Sequence, residues 1–305
     1  MLDITVGILS YNRGAYLREA VLSVLAQTKQ AQRIVIYDNG SDANVFEAVQ
    51  DLLGEGVQWA GAEFNQPFIW NFTRAMRDGE SRYVMMLHDD DRLRPDFLET
   101  QIALLDSDPS LIAVSSNGYY IDHQGRKNGE TLASTASMVA VEFYTCSGQV
   151  AMKYAKNSCI PLSPAIYRRA MVAQIPFREE FGKVLDAVYF CDLADQGAVA
   201  YQTMPLYECR RHDGQDSNYF PYDLMNQLEV FYASRKCANE QELARLNGLL
   251  LKQHAARNLK QIVQAAQQRN WSRALNLFQD EKFRLLDAVN VLVAWGSKSI
   301  FRKLK

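Results

Sequence analysis

Val84-Met85-Met86-Leu87-His88-Asp89-Asp90-Asp91-Arg92 decides the fold. Its apolar half suits a strand buried on both faces, and it delivers three consecutive carboxylates to the C-terminal end of that strand. In an open α/β sheet, ligands bind in the crevice beyond those strand ends. Crowded carboxylates repel one another unless a cation or cationic ligand neutralises them. Hard divalent ions such as Mg²⁺ take oxygen ligands and typically share one or two carboxylates with substrate phosphates. The stretch therefore predicts a metal-assisted site for a phosphorylated ligand.

On the N-terminal side, strand and helix patterns alternate. Ile4 to Leu9 is almost wholly apolar, Leu17, Val21, Val24 and Leu25 recur at helical spacing, and Arg33 to Tyr37 reads as a second strand. A helix with Val45, Phe46, Val49, Leu52 and Leu53 on one side follows, then a weak strand from Val57 to Ala60 and a helix over Phe68 to Met76. Past the acids, Pro95 opens a helix carrying Leu98, Ile102 and Leu105. Such alternation implies a mostly parallel sheet with helices on both faces. From Leu111 it loosens into strand patterns at Leu111 to Ser116, Val139 to Phe143 and Ile160 to Tyr167, with a helix around Gly148 to Ala155. Glu179 to Gln196 reads as helix, followed by Ala198 to Tyr201 and the Pro205 to His212 segment. After Pro221 the chain reads as helical to its end. The expected organisation is two halves of one domain, over 1–117 and 118–222, and a helical region over 223–305.

Composition excludes several classes. The chain has 305 residues, 48% hydrophobic and 22% charged, as expected of a globular protein with a substantial core. A net charge of -2 gives no reason to expect nucleic acid. Cys146, Cys159, Cys191, Cys209 and Cys237 are odd in number and contain no C-x-x-C pair, which argues against zinc and disulfides and fits a reducing compartment. The first residues already read as strand, so no signal peptide is expected, and no apolar run reaches the ~20 residues needed to span a bilayer. The expected location is the cytoplasm.

Three strand ends should meet on one rim: Ser10-Tyr11-Asn12-Arg13, Asp38-Asn39-Gly40-Ser41-Asp42, and Asp89 to Asp91. They supply a ring (Tyr11) for a base, acids (Asp38, Asp42) for its N–H or a ribose hydroxyl, and a cluster for metal. Asp38 has a second reading as turn chemistry, because Asx side chains bond their own backbone. Gly7-Ile8-Leu9-Ser10-Tyr11-Asn12-Arg13, Ile36-Tyr37-Asp38-Asn39-Gly40-Ser41-Asp42 and Leu87-His88-Asp89-Asp90-Asp91-Arg92-Leu93 together resemble, in order, the signatures of family 2 glycosyltransferases. The resemblance covers roughly residues 4 to 220. It implies a GT-A-type, Rossmann-like α/β fold with a C-terminal helical extension. It also implies an inverting, Mn²⁺- or Mg²⁺-dependent enzyme using a UDP-, GDP- or dTDP-type sugar donor and a glycan or lipid-linked acceptor.

The same resemblance implies roles for particular residues. Ser10, Tyr11, Arg13, Asp38, Asn71, Asp89, Asp90 and Arg211 would bind the nucleotide-sugar, and Asp90, Asp91 and His212 the metal. His88 fills the slot where many members carry the first acid of D-x-D. Asp186, in Val184-Leu185-Asp186-Ala187, takes the place of the catalytic base, with Leu185 replacing the usual Glu and Asp192 and Asp195 as alternatives. Trp70-Asn71 replaces the family's Arg-Asn pair. Tyr207-Glu208-Cys209-Arg210-Arg211-His212 resembles its Tyr-Arg-x-His ending. The context it suggests is bacterial surface-polysaccharide assembly.

Competing functions lack their residues. A nucleotidyltransferase wants a Gly- and Arg-rich loop after the first strand, where this chain has only Gly14; a dinucleotide-binding dehydrogenase wants G-x-G-x-x-G. A non-catalytic nucleotide-sugar or carbohydrate-binding protein remains the rival from another class. At the other end, Lys282, Arg284, Lys298, Arg302, Lys303 and Lys305 face a single acid, Asp287, alongside the apolar Phe283, Leu286, Val289 and Val293. That pattern suits an ordinary packed helix. It also suits peripheral contact with the cytoplasmic face of an inner membrane.

Overall fold

The computed structural model describes residues 1–133, 139–156, 159–212, 231, 232, 235 and 239–278. The N-terminal alternation is β1 (Leu2–Ser10), α1 (Gly14–Leu25), β2 (Ala31–Asp38), α2 (Ala43–Glu47), β3 (Val57–Trp59), α3 (Phe68–Arg77) and β4 (Tyr83–His88). The helical pattern of 45–53 resolves into α2 and a 3-10 turn, Gln50–Leu52. Beyond β4 come β5 (Arg92–Leu93), α4 (Phe97–Ser107), β6 (Leu111–Ile121), β7 (Lys127–Thr131), β8 (Val141–Tyr144) and α5 (Ser147–Ala155). Then follow β9 (Ala165–Arg168), α6 (Arg169–Val172), a 3-10 segment Glu179–Val184, α7 (Leu185–Ala194) and β10 (Ala198–Arg210). Two further helices, α8 (Glu240–Gln267) and α9 (Trp271–Phe278), lie in the C-terminal helical region.

The strands join one curled sheet in the order β3-β2-β1-β4-β9-β6-β10-β5, with β7 on β6 and β8 on β10. Pairing is parallel across β3-β2-β1-β4. From β9 it is mixed, with β9 antiparallel to both β4 and β6 and β10 parallel to β6. Alternate side chains serve opposite faces. Ile4, Val6, Ile8, Met85 and Leu87 pack with α1 and α4, while Leu9, Val84 and Met86 pack with α3, α5 and α7. Gly7 is required at the centre of β1, because a Cβ there would stand 2.9 Å from the Tyr37 ring and 3.0 Å from Ala75.

Proline accounts for two departures from the sequence pattern. Strand pairing in Ile160 to Tyr167 begins only at Ala165, after Pro161 and Pro164, which lack ladder N–H groups. The two patterns Ala198 to Tyr201 and Pro205 to His212 merge into one strand, β10, which ends at Arg210 and whose register on β6 slips on both sides of Pro205. Gly182 (φ 47°) breaks the helix expected over 179–196, so α7 starts only at Leu185. The two-residue β5 and the exposed β7 escaped the sequence pattern because neither has an apolar periodicity. The basic end, including Lys282, Phe283 and Ile300 to Lys305, lies outside the described residues.

Candidate active site

Register brings the first two loops together: Ser10 pairs with Asp38 across β1 and β2, and Asn39 N–H donates to the Ser10 carbonyl at 2.9 Å. Gly40 (φ 77°) makes the turn after β2. Its amide and that of Ser41 donate to Asp38 Oδ2 at 3.1 and 2.9 Å, and Ser41 Oγ also donates to Asp38. Asp38 thus has the turn role that the sequence left open. Asn12, held in the left-handed region (φ 53°), ties the loops by accepting from Asp42 N–H and donating its own N–H to Ser41 Oγ. Asp42 itself is exposed.

The segment before α3 closes over this turn. Asn39 Nδ2 donates to Asn65 Oδ1 and the Gln66 carbonyl, each at 2.8 Å. Asn71, buried in α3, donates its Nδ2 to the Tyr37 carbonyl at 2.7 Å. That leaves Asn71 Oδ1 and Ser10 Oγ buried without a hydrogen-bond partner among the described residues. A buried polar atom without a partner costs stability unless something satisfies it. Both belong to the predicted nucleotide-binding set. Beside them the Tyr11 ring is exposed.

The acids divide into two environments. Asp89 accepts from Tyr11 N–H at 3.0 Å and from the Arg13 guanidinium at 2.9 Å, so both oxygens are committed. Burial pushes its carboxyl up to about 6, against the opposing pull of Arg13 and the Tyr11 amide. Asp90 and Asp91 form a group with His88, their ligand atoms all within 4.8 Å of one another. Burial raises the Asp90 carboxyl, but the neighbouring His88, the hydrogen bond from His212 and the Arg13 guanidinium outweigh it and hold it below the usual range. Asp91 is pushed well up by burial and by the neighbouring Asp90 charge. One imidazole and two carboxylates converging from one strand end are a donor set that fits a divalent ion. His88 is the residue that the sequence reading noted but did not assign; its slot before the acids was the available signal.

β10 delivers the last pieces. His212 Nε2 lies 3.0 Å from Asp90 Oδ2, joining the predicted metal residues. Arg211 points elsewhere: it pairs with Glu130 at 2.8 Å and lies over the Tyr120 ring. Its neighbour Arg210 is instead fully buried, donating Nε to the Asp90 carbonyl at 2.9 Å and its amide to Asp91 Oδ1 at 3.0 Å. Arg211, one residue past β10, continues its extended course by donating its N–H to the Ile121 carbonyl at 2.8 Å, and consecutive side chains on such a course face opposite sides, so burying one arginine exposes the other.

Asp186 sits half-buried in the first turn of α7. It accepts from Ala187 N–H at 2.8 Å, and Tyr154 Oη is 3.4 Å away. Burial pushes its carboxyl up to about 6. The same Tyr154 hydroxyl donates to the Ile160 carbonyl at 2.8 Å, while Ser163 Oγ accepts from His88 N–H at 3.0 Å. Ile160 to Ser163 therefore links Asp186 to the metal group through roughly 10 Å of chain. Asp192 and Asp195 have structural partners: Asp192 pairs with Arg178 and Arg235, and Asp195 accepts from Ser147 N–H at the start of α5.

Residues 5–175, more than half of the chain, match the family described as Glycosyl transferase family 2. The chain belongs to glycosyl transferase family 2. A curated relative, glucosyl-dolichyl phosphate glucuronosyltransferase from Haloferax volcanii, is 29% identical over 117 residues, a match spanning 37% of each protein. The chain resembles S. aureus TarS 1-349 in complex with UDP-GlcNAc at TM-score 0.61 and 17% identity, over 83% of this chain and 72% of that one. It also resembles a mannosyltransferase from Pyrobaculum calidifontis in complex with GDP-Man and Mn²⁺. There the TM-score is 0.57 at 14% identity, over 99% of this chain and 88% of the other. At these identities the structural likeness shows the fold, which is the GT-A type of glycosyl transferase family 2. Among the described residues, no helix is long and apolar enough to cross a membrane.

Proposed function

We propose that this glycosyl transferase family 2 member moves a sugar, with inversion, from a nucleoside-diphospho-sugar to a hydroxyl of a glycan or lipid-linked glycan. The observation that carries the reading is the grouping of His88, Asp90 and Asp91 at the end of β4, against the bonded loops after β1 and β2. Family membership and the donors named for the two similar structures support it.

Residues 1–117 would then bind the donor and 118–222 the acceptor. Ser10 Oγ and Asn71 Oδ1, both without a partner among the described residues, would meet polar atoms of the nucleoside, with the Tyr11 ring against its base. Arg13, fixed on Asp89, would face the diphosphate. Asp90, Asp91 and His88, with His212 beside them, would hold Mn²⁺ or Mg²⁺, which when bound offsets negative charge on the diphosphate. Asp186 accepts the proton of the acceptor hydroxyl while that oxygen bonds to the anomeric carbon and the bond to the diphosphate breaks. One displacement inverts the anomeric centre. A carboxyl near 6 is ionised at neutral pH yet basic enough to take that proton. We place the activity in bacterial cell-surface polysaccharide synthesis in the cytoplasm, with the basic C-terminus as an optional contact to the inner membrane.

The test is nucleoside diphosphate release from UDP-, GDP- and dTDP-sugars with Mn²⁺ present, with thermal-shift screening to find the donor that binds. Donor hydrolysis or transfer abolished by chelation is expected. Donor binding without any turnover, whatever acceptor is offered, would return the chain to a non-catalytic binding role.

A further inference from the structure

The first helix carries two side chains outside every motif that contact the residues bonded to the metal group, Arg210 and His212. Tyr16 and Glu19, one turn apart, share a face of α1. Glu19 Oε2 accepts from Arg210 Nη2 at 2.6 Å and from Arg92 Nη1 at 3.1 Å. The Arg210 guanidinium lies 4.4 Å from the centroid of the Tyr16 ring, and the same ring packs against His212 at 5.4 Å between centroids. Tyr16 Oη also donates to the His123 carbonyl at 3.3 Å. Arg210 is completely buried, and a buried guanidinium is tolerated only with counter-charge and well-placed acceptors. Its Nε holds the main-chain carbonyl of Asp90, and its backbone N–H holds the carboxylate of Asp91, so Arg210 backs the turn that carries both acids.

We propose that Tyr16 and Glu19 are positioning residues for the divalent-metal site. Glu19 fixes the guanidinium that holds the Asp90 main-chain carbonyl, and with it the Arg210 backbone whose N–H holds Asp91; Tyr16 fixes the imidazole of His212 beside Asp90. The inference rests on the metal reading under Proposed function. Neither residue is itself assigned as a metal ligand; each acts through one that it touches or backs. Groups in this relation to a metal ligand typically tune affinity by about 10- to 100-fold.

The experiment is direct Mn²⁺ titration of the full chain, followed by electron paramagnetic resonance, with and without UDP or GDP. Tyr16→Phe keeps the ring and should bind Mn²⁺ within about two-fold of wild type, whereas Tyr16→Ala should bind about ten-fold or more weakly. Glu19→Gln, nearly isosteric, should show a similar loss and provides the decisive variant if Tyr16→Ala does not fold. A merely structural role would lower thermal stability without changing Mn²⁺ affinity in the folded variants. Folded Tyr16→Ala and Glu19→Gln chains with wild-type Mn²⁺ affinity would overturn the positioning alone. A wild-type chain that binds no Mn²⁺ would overturn the metal assignment, and the positioning with it.

Discussion

Replacing Asp186 by Asn should remove turnover and raise stability together, and the two effects come from one cause. Burial moves the carboxyl from 3.8 to about 6. A raised carboxyl contributes stability below the unfolded value, and that contribution is lost as pH rises through the folded value. Above about pH 6 the ionised side chain therefore costs up to about 3 kcal/mol. Asp186 is only half-buried, so solvent screening brings the expected recovery to about 1–3 kcal/mol in Asn. The Asn oxygen can keep the Ala187 N–H bond, so little else should change. The thermal midpoint should rise by roughly 2–6 °C. Loss of a general base should lower kcat by about 10²- to 10⁴-fold with donor KM little altered. In the wild type, kcat should fall with acidity through about pH 6, to roughly one-tenth of its plateau at pH 5. The assays are nucleoside diphosphate release over pH 5–8 and differential scanning calorimetry. An Asn variant with near wild-type turnover would refute the base assignment. An unchanged midpoint would refute the energetic argument.

Other perturbations follow from the same geometry. Asp90→Ala removes the carboxylate shared by His88, Arg13 and His212, and isothermal titration should show donor binding weakened with Mn²⁺ present but little changed without it. Arg13→Ala leaves Asp89 buried without its cation, at a cost of about 2–4 kcal/mol in urea unfolding. Gly40→Ala puts a side chain at φ 77° with its Cβ 2.5 Å from the Phe64 backbone, and should cost roughly 2 kcal/mol or more. Deleting residues 282–305 should abolish co-sedimentation with anionic vesicles if that basic end supplies membrane contact; unchanged sedimentation removes the idea.

Local pattern suffices for the parallel half of the sheet and for the residues at its rim. Buried parallel strands read as short apolar runs separated by amphipathic helices, and both are local properties. Ser10 to Arg13, Asp38 to Asp42 and Asp89 to Asp91 then had to converge, because β1, β2 and β4 run side by side in one direction. Tertiary structure alone decided how those residues were shared out. Arg210 and Arg211 are chemically alike in the sequence, and only the register of β10 on β6 buries the first against Asp90 and turns the second to Glu130. His88 joined Asp90 and Asp91, and Asp89 left them for Arg13, through side-chain directions set by the turn after β4. Tyr16 and Glu19 carry no motif at all; their contact with Arg210 spans some 190 residues of chain. Local patterns record which face a residue prefers, whereas pairing across such distances is fixed only when the whole sheet closes.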